Sequence, residues 1–469
     1  MVLIAVDTPI SSSCNQHSET LLPQPQIHII GLGVTETEQL SSAARAALTQ
    51  AQLVIGSERQ IAVVQACLDQ QTTAVLPKLK QLTSLIADSG AQHIVILASG
   101  DPLYYGIGRW FSKQFSAQQL HYYPAVSSIQ AACHSIGLSL QDAKVISLHG
   151  RNVLTLRRHL AQQQYLVILT DQHSTPQALA ALCQETGFTD STLWVCERLG
   201  YQDQQVRAFS VASLAPNVDT APTHSDLCFD PLHVSIIKVS GRSRYLPSFP
   251  GIQDTDFITD GEAGRGLITK REVRLAILSL LQPMPHDIAW DIGAGCGGVA
   301  VEWALWNPQG TVYAIEHHAA RFACLSQNRD RFGVVDNLQI IQGRAPEALG
   351  QLPAANKIFI GGSDGELPHL LHRLWQALPA GGVIVASAVM ETSRMQLIDF
   401  ATQLSAPSTQ DLAGDVDTLQ VAISKGGQLA GQLLYRPSLP VTLFKFTKPH
   451  VSEASDIADI QQEISYDTK

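Results

Sequence analysis

The sequence lacks a long hydrophobic run, because no apolar stretch reaches the roughly 18 residues that cross a bilayer. It is also poor in aromatic residues (6%) and in charged residues (15%), and its net charge is −10. A protein that binds nucleic acid usually has a basic stripe or an aromatic stacking platform, and neither is indicated here. We therefore expect no membrane span and no nucleic-acid partner.

Cysteine pairs at metal-binding spacing are missing as well. The eight cysteines are scattered and none forms C-x-x-C, so neither a zinc site nor a disulfide framework is predicted. The first 26 residues are mixed and polar, without a basic segment before an apolar core, so we expect no signal peptide. Together these features predict a cytoplasmic protein without a metal site.

The chain is nevertheless long enough for two or more domains, with 469 residues of which 45% are hydrophobic. Short apolar runs alternate with helical segments, a pattern that predicts α/β architecture. A stretch with two prolines and few apolar residues indicates a linker. The predicted order is an extension (1–26), a first α/β domain (27–240), a linker (241–253), a second α/β domain (254–447) and a polar tail (448–469).

A glycine-rich loop stands at the centre of the second domain, between an apolar strand and a helix. Gly293, Gly295 and Gly298 match the dinucleotide pattern G-x-G-x-x-G, whereas Gly293, Gly295 and Gly297 match the D-x-G-x-G-x-G loop of S-adenosylmethionine (SAM) methyltransferases. An acid before the first glycine suits the sulfonium and ammonium of SAM better than a pyrophosphate. The acid at position 291 therefore favours SAM, and an NAD-dependent oxidoreductase remains the alternative.

A helix is predicted shortly before this loop. Thr269 and Glu272 have the spacing of a capping box, with threonine as the N-cap. The residues at 273, 277, 280 and 281 are apolar and predict one buried face. Cys296, inside the loop, is interpreted as a small residue in a tight turn rather than as a nucleophile.

The first domain carries three shorter motifs, each at the end of a predicted strand. They are Gly31-Leu32-Gly33, then Gly100-Asp101-Pro102 followed by Tyr104 and Gly106, and Pro124-Ala125-Val126-Ser127-Ser128. Asp101 has two open interpretations, a catalytic acid or a turn-former before proline.

These first-domain motifs resemble those of the tetrapyrrole (precorrin) methylases. The second domain is similar to the decarboxylating precorrin methyltransferase subunits, at residues 268–274, 291–298, 316, 343–346 and 359–362. The resemblance implies an N-terminal two-lobed tetrapyrrole methylase fold followed by a C-terminal doubly wound, Rossmann-like SAM methyltransferase domain.

The resemblance also implies one SAM site in each domain. The implied first-domain contacts are Leu32, Asp101, Tyr104, Ser127 and Ser128. The expected second-domain contacts are Thr269, Asp291, Gly293, Gly295, Gly297, Glu316 and Ala345. A cluster of cations near a helix start is expected to bind the carboxylates of the substrate, with a solvated basic turn as the alternative: Arg265, Lys270, Arg271 and Arg274.

The activity that the resemblance implies is methylation of a precorrin-6-type tetrapyrrole at C5 and C15, with decarboxylation of the ring C acetate, in cobalamin (vitamin B12) biosynthesis. It assigns C5 to the first domain and the other two steps to the second. Relatives of both domains self-associate, so a homo-oligomer is expected. A methyltransferase acting on RNA or another small molecule, and a non-catalytic regulator, are further alternatives.

Overall fold

The computed structural model describes residues 24–34, 36–215, 227–261, 266, 268–405 and 414–449. The chain divides into two compact units. The first comprises Met1–Leu138 with Cys196–Gln205, and the second comprises Ser139–Val195 with Val206–Lys469. Within the described ranges, no helix combines the length and the apolar character needed to cross a membrane.

The first unit is built on a five-stranded parallel sheet with the strand order β3-β2-β4-β1-β5. Its strands are β1 Gln26–Gly31, β2 Leu53–Gly56, β3 Thr72–Val75, β4 His93–Ala98 and β5 Leu120–Tyr123. Its helices are α1 Ser42–Gln50, α2 Glu58–Val64, α3 Leu79–Asp88, α4 Gly108–Gln114 and α5 Ser128–Ser135. Successive residues such as Ile29 and Ile30 are fully buried, because each face of the sheet has its own hydrophobic cluster.

A second sheet has the order β6-β7-β10-β8-β9. Its strands are β6 Ala143–Ser147, β7 Tyr165–Leu169, β8 Thr192–Glu197, β9 Gln205–Ser210 and β10 His233–Lys238. The accompanying helices are α6 Pro176–Thr186 and α7 Val211–Leu214, and a 3-10 helix spans Val153–His159. Strand β7 pairs parallel with β6 and antiparallel with β10, so this sheet is mixed.

The third sheet has seven strands in the order β13-β12-β11-β14-β15-β19-β16. Its strands, with the separate hairpin β17–β18, are β11 Ile288–Ile292, β12 Thr311–Glu316, β13 Leu338–Gln342, β14 Lys357–Ile360, β15 Val383–Ala388, β16 Asp415–Val421, β17 Ser424–Leu429, β18 Gln432–Pro437 and β19 Val441–Thr447. The helices are α8 Arg271–Leu281, α9 Gly298–Trp306, α10 Ala319–Arg331, α11 Leu367–Ala377 and α12 Glu391–Ser405.

The order of the third sheet confirms the doubly wound prediction. Five strands run parallel, and the chain moves outward from β11 in both directions, first to β12 and β13 and then to β14 and β15. In such sheets a ligand crevice opens at the carboxyl ends of the strands where the order reverses. That point is the end of β11, where the glycine loop begins.

The predicted capping box at the start of α8 is wrong. Helix α8 begins at Arg271, Lys270 is its N-cap, and no side chain caps it locally. Instead the carboxylate of Asp254 accepts the Arg271 amide at 3.0 Å. A contact from 17 residues upstream has replaced the local cap, which a sequence window cannot reveal.

The predicted linker (241–253) is packed rather than free. Leu246 and Ile252 are buried in a hydrophobic cluster of the second unit. The Ile252 amide donates to the buried carboxylate of Glu302 at 3.3 Å. The Gly251 amide donates to the same carboxylate. The segment therefore belongs to a folded unit, while the functional boundaries at 240 and 254 stay a prediction.

Candidate active sites

Three loops meet at the carboxyl ends of β1, β4 and β5 in the first unit. Gly33 forms a bridge with Gly100, and the Leu32 amide donates to the Ala98 carbonyl at 2.9 Å. A Cβ at Gly31 would collide with the Gly100 carbonyl oxygen. The loops therefore pack backbone against backbone, an approach that glycine allows because it has no Cβ.

A cleft of about 760 Å³ opens beside these loops. Its walls come from the loop after β1, the start of α1, the loop after β5, the face of α5 and the segment 199–204. The lining residues are Leu32, Gly33, Val34, Gln39, Leu40, Ser41, Pro124, Ala125, Val126, Ala131, His134, Ser135, Leu199, Gly200 and Gln204. Among these described residues there is no carboxylate, lysine or arginine, so the cleft suits a ligand held by shape and by backbone groups.

The five predicted contacts of the first site have different surroundings. Leu32 lines the cleft, whereas Asp101 lies in the neighbouring loop and accepts hydrogen bonds from the amides of Leu103 and Tyr104, at 2.8 and 2.9 Å. This geometry supports the turn-former interpretation of Asp101. Tyr104 is exposed and meets Tyr105 edge to face, with ring centroids 5.3 Å apart.

Ser127 and Ser128 form the start of α5. The buried hydroxyl of Ser127 accepts the Gln130 amide at 3.2 Å, and the Gln130 side chain accepts the Ser127 amide at 2.9 Å, which completes a capping box. A Cβ at Gly100 would press on the Ser127 backbone. The helix start is therefore held against the other two loops, although neither serine lines the cleft.

The glycine loop of the second unit follows β11. Gly293, Gly295 and Gly297 all have positive φ (72°, 58° and 89°), whereas Gly298 is the first residue of α9. A Cβ at Gly293 would also meet the Gly362 backbone at 2.7 Å. The three glycines that need their freedom are thus those of the D-x-G-x-G-x-G pattern, which favours the methyltransferase interpretation over the dinucleotide one.

Two buried carboxylates lie beneath this loop. Asp291 is 1% exposed, and neither of its oxygens has a hydrogen-bond partner among the described residues. Burial raises the pKa of Asp291 to about 7, and the charge of Glu316 adds to the rise.

Glu316 ends β12 and organises the loop through backbone groups. One oxygen accepts the Gly295 amide at 2.8 Å, and the other accepts the His318 amide at 2.7 Å. Each carboxylate oxygen can accept more than one hydrogen bond, so Glu316 keeps acceptor capacity for a ligand.

The rim of the loop includes acids that the sequence motifs missed. Asp260 lies 3.1 Å from the Arg321 guanidinium and 3.8 Å from the Cys296 sulfur. Asp364 lies 3.4 Å from His317 and 3.3 Å from Arg344. Both acids precede a glycine after a strand or loop, a signal of a turn but not of a site.

The remaining contacts predicted for the second site lie in adjacent segments. Thr269 is half-buried before α8, and its carbonyl accepts from Arg274. Ala345 follows β13 in a turn, where the neighbouring Gly343 amide donates to the Glu316 carbonyl at 3.1 Å. Burial raises the pKa of the Cys296 thiol to about 12, in keeping with a structural residue.

The predicted substrate-binding cations separate into different classes. The prediction that Arg274 binds the substrate is corrected by the structure. Its guanidinium is fully buried between Asp254 and Glu302, at 2.7 and 3.0 Å, so it cannot reach a substrate. Lys270 and Arg271 are half-buried at the start of α8, where Arg271 pairs with Glu272 at 3.0 Å. Arg265 lies outside the described residues.

Comparison with known proteins matches both halves of the chain. Residues 26–215 match the family model of tetrapyrrole (corrin/porphyrin) methylases, and residues 260–448 match that of the precorrin methyltransferase domain. The two loop systems thus define a fused methyltransferase of the tetrapyrrole class.

Curated relatives match most of this chain or a part of it. A precorrin-6Y C(5,15)-methyltransferase [decarboxylating] from Sinorhizobium sp. is 31% identical over 92% of this chain and 98% of its own length. One of the same name from Mycobacterium tuberculosis (strain CDC 1551 / Oshkosh) is 33% identical over 90% of this chain and all of its own. A probable cobalt-precorrin-6B C(15)-methyltransferase (decarboxylating) from Pyrobaculum aerophilum is 34% identical over 41% of this chain and 93% of its own. The chain belongs to the family of decarboxylating precorrin-6Y C(5,15)-methyltransferases.

Proposed function

We propose that this chain methylates a precorrin-6-type tetrapyrrole at C5 and C15 with SAM as the methyl donor. It also removes the carboxyl group of the ring C acetate, as a step of cobalamin biosynthesis. The family supports the reaction, and the two loop systems support a separate SAM site in each half.

The pair of buried acids under the glycine loop is the observation that carries the choice of SAM. Asp291 and Glu316 interact electrostatically, and both are at most 3% exposed. Carboxyl groups in this position repel a pyrophosphate and favour a sulfonium or an ammonium group, whose positive charge would stabilise the ionised form of Asp291. The loop from Gly293 to Gly297 and the spare acceptor capacity of Glu316 fit the remaining polar groups of SAM.

The first site supports the same cofactor by a different route. Its cleft is lined by apolar residues and by polar residues other than acids, lysine and arginine, and it includes the loop at Gly33. Such a surface holds a folded ligand by backbone hydrogen bonds and shape. Leu32, Asp101, Tyr104, Ser127 and Ser128 remain the proposed contacts or loop-ordering residues.

The start of α8 is proposed to hold the acidic periphery of the tetrapyrrole. Lys270 and Arg271 lie at the positive end of the helix. Glu272 forms ion pairs there with Arg271 and with Lys425. A helix N-terminus with cations favours carboxylates. Arg274 contributes by fixing this helix and not by contact.

The residues of the chain mainly bind, orient and exclude water. SAM supplies an electrophilic methyl group when it is bound. The loops align it with the carbon that is methylated, which lowers the barrier through positioning. Loss of carbon dioxide leaves the electron pair of the broken C–C bond on the acetate carbon, where the conjugated pyrrole system delocalises it until a proton takes the place of the carboxyl group. The protein therefore needs to orient the acetate rather than provide an electron sink.

Site-specific variants of the full-length chain test the division of labour. We propose that the first domain methylates C5 and that the second decarboxylates and methylates C15. Gly31→Ala should disable the first loop system, and mass spectrometry should then show loss of the C5 methyl group only. Loss of C15 methylation, with C5 retained, would overturn the assignment.

Metal-free and cobalt-containing substrates compared in parallel identify the natural form.

Calorimetric titration separates this proposal from the dinucleotide alternative. The full-length chain should bind SAM and not NAD, and binding of NAD without SAM would reject it. A non-catalytic regulator is rejected by turnover of SAM to S-adenosylhomocysteine.

We further propose a cytoplasmic homo-oligomer. The hairpin β17–β18 and the segment after it expose Leu429, Leu433, Tyr435 and Leu439, between 59% and 76% exposed. Exposed apolar patches of this kind usually mark a contact surface. Light scattering of the native chain and of a Leu433→Ser, Tyr435→Ser variant checks the proposal, which a monomeric native chain would contradict.

A further inference from the structure

Two arginines of the 3-10 helix Val153–His159 bind the ends of helices in the methyltransferase region. Arg157 donates to the Asp330 carbonyl in the last turn of α10, at 2.6 Å. Arg158 donates to the carbonyls of Ala304 and Leu305 in the last turn of α9, at 2.9 and 3.0 Å. All of these residues lie in the second compact unit, yet the arginines fall in the tetrapyrrole methylase match and the helices in the other.

The contact made by Arg157 is buried and closely packed. The side chain of Arg157 is only 10% exposed, and its guanidinium also donates to both carboxylate oxygens of Glu185, at 2.6 and 2.7 Å. A Cβ at Gly333, just after α10, would meet the Leu154 carbonyl oxygen at 2.7 Å and the Arg158 amide nitrogen at 2.8 Å. The two regions therefore approach each other at backbone distance.

Arg158 is supported by a second polar group. Its guanidinium donates to the Asn337 side chain at 2.7 Å, and the Asn337 amide group donates to the Ala304 carbonyl at 2.9 Å. Burial lowers the pKa of Arg158, with partial compensation by Asp336. A cation at a helix C-terminus satisfies free carbonyls and stabilises the helix dipole.

These two helices begin beside the glycine loop and the strand end of the proposed SAM site. Helix α9 starts from the glycine loop at Gly298, and α10 starts at Ala319, shortly after Glu316. Helices α8 and α11 are capped in the same way by lysines of the methyltransferase region itself. Lys357 binds the Leu281 and Gln282 carbonyls, and Lys448 binds the Trp375, Gln376 and Leu378 carbonyls.

We propose that Arg157 and Arg158 are positioning residues for the second methyltransferase site, supplied by the tetrapyrrole methylase region. By holding the far ends of α9 and α10, they set the position of the glycine loop and of the strand end at Glu316. The inference rests on the proposed function only in taking SAM as the ligand of that loop.

The experiment uses the full-length chain, the variants Arg157→Ala and Arg158→Ala, and peptide-resolved hydrogen exchange with increasing SAM. Protection of peptides covering 290–301 and 316–322 reports the second site separately from the first. We expect both variants to raise exchange in α9 or α10 and in the loop, and to weaken SAM binding there about threefold to tenfold. The KM for SAM in C15 methylation should rise more than kcat falls.

Lys448→Met is the matched control, because it removes the same type of cap from α11, which does not start at the loop. It should loosen α11 and leave SAM protection of the loop unchanged. Arg158→Lys keeps one charged donor and should restore most of the affinity that Arg158→Ala loses.

The outcomes separate the two proposals. If the unmodified chain shows no SAM protection at 290–301, the proposed function fails. If the unmodified chain is protected but both arginine variants bind SAM as tightly, or no more weakly than Lys448→Met, the positioning role is overturned.

Discussion

The two candidate sites both contain glycine loops, but different groups surround the loop in each site. In the first site, the loops around Gly33 and Gly100 contact one another through their backbones. The described residues that line the adjacent cleft include no carboxylate, lysine or arginine. In the second, Asp291 and Glu316 are buried under the loop. Shape and peptide groups can therefore define one methyl-donor site, while electrostatics has a larger share in the other.

The largest expected effect comes from Gly293→Ala. The residue has φ of 72°, and its Cβ would meet the Gly362 backbone at 2.7 Å, so the loop must move. We expect C15 methylation to fall by about a hundredfold, since strain and collision together amount to a few kcal/mol. C5 methylation should persist. Gly427→Ala, placed in open space, is the control for the assay. Equal loss at both carbons would show that the two sites do not act separately.

Asp291→Asn tests the electrostatic half of the comparison. Folding raises the pKa of Asp291 from 3.8 to about 7, so the folded chain holds a proton that the unfolded chain releases. This group therefore makes stability fall as pH rises from about 4 to about 7. The variant should lose that fall and be more stable at pH 7, yet bind SAM more weakly at the second site.

Thermal unfolding from pH 4 to 8 and hydrogen exchange with SAM measure these two effects. A parallel pH dependence in both proteins would mean that Asp291 is not the titrating group.

Asp101→Ala tests the backbone-based site. The carboxylate accepts the Leu103 and Tyr104 amides, and losing these bonds costs about 1 kcal/mol each. We expect a KM for SAM in C5 methylation about fivefold higher, with kcat little changed. Asp101→Asn keeps an acceptor oxygen and should recover most of the loss. A collapse of kcat in both variants would instead favour the catalytic-acid interpretation.

The smallest effect is expected for Arg344→Ala at the rim of the second site. Its pair with Asp364, at 3.3 Å, joins two side chains that are 56% and 45% exposed. Such pairs contribute little because water screens them. Both methylations should change less than about twofold. A larger loss in C15 methylation would place Arg344 in contact with a ligand.

The strand ends and glycine loops were predictable, because their signals are local. The buried strands Ile288–Ile292 and Thr311–Glu316 lie where the motifs place them. The roles of charged residues were less predictable. Arg274 has the spacing of a surface cation but is fully buried, since Asp254 and Glu302 come to it from distant parts of the chain.

Local signals in the sequence specify the α/β class and the glycines of the loop at 293–297, because hydrophobic period and backbone freedom are properties of short segments. The order of the two methyltransferase regions follows from the resemblance of their motifs to known families. The replacement of a local cap on α8 by Asp254, and the binding of α10 and α9 by Arg157 and Arg158, are seen only in the folded chain. Caps and buried ion pairs join residues 17 to 173 positions apart, so no local pattern encodes them.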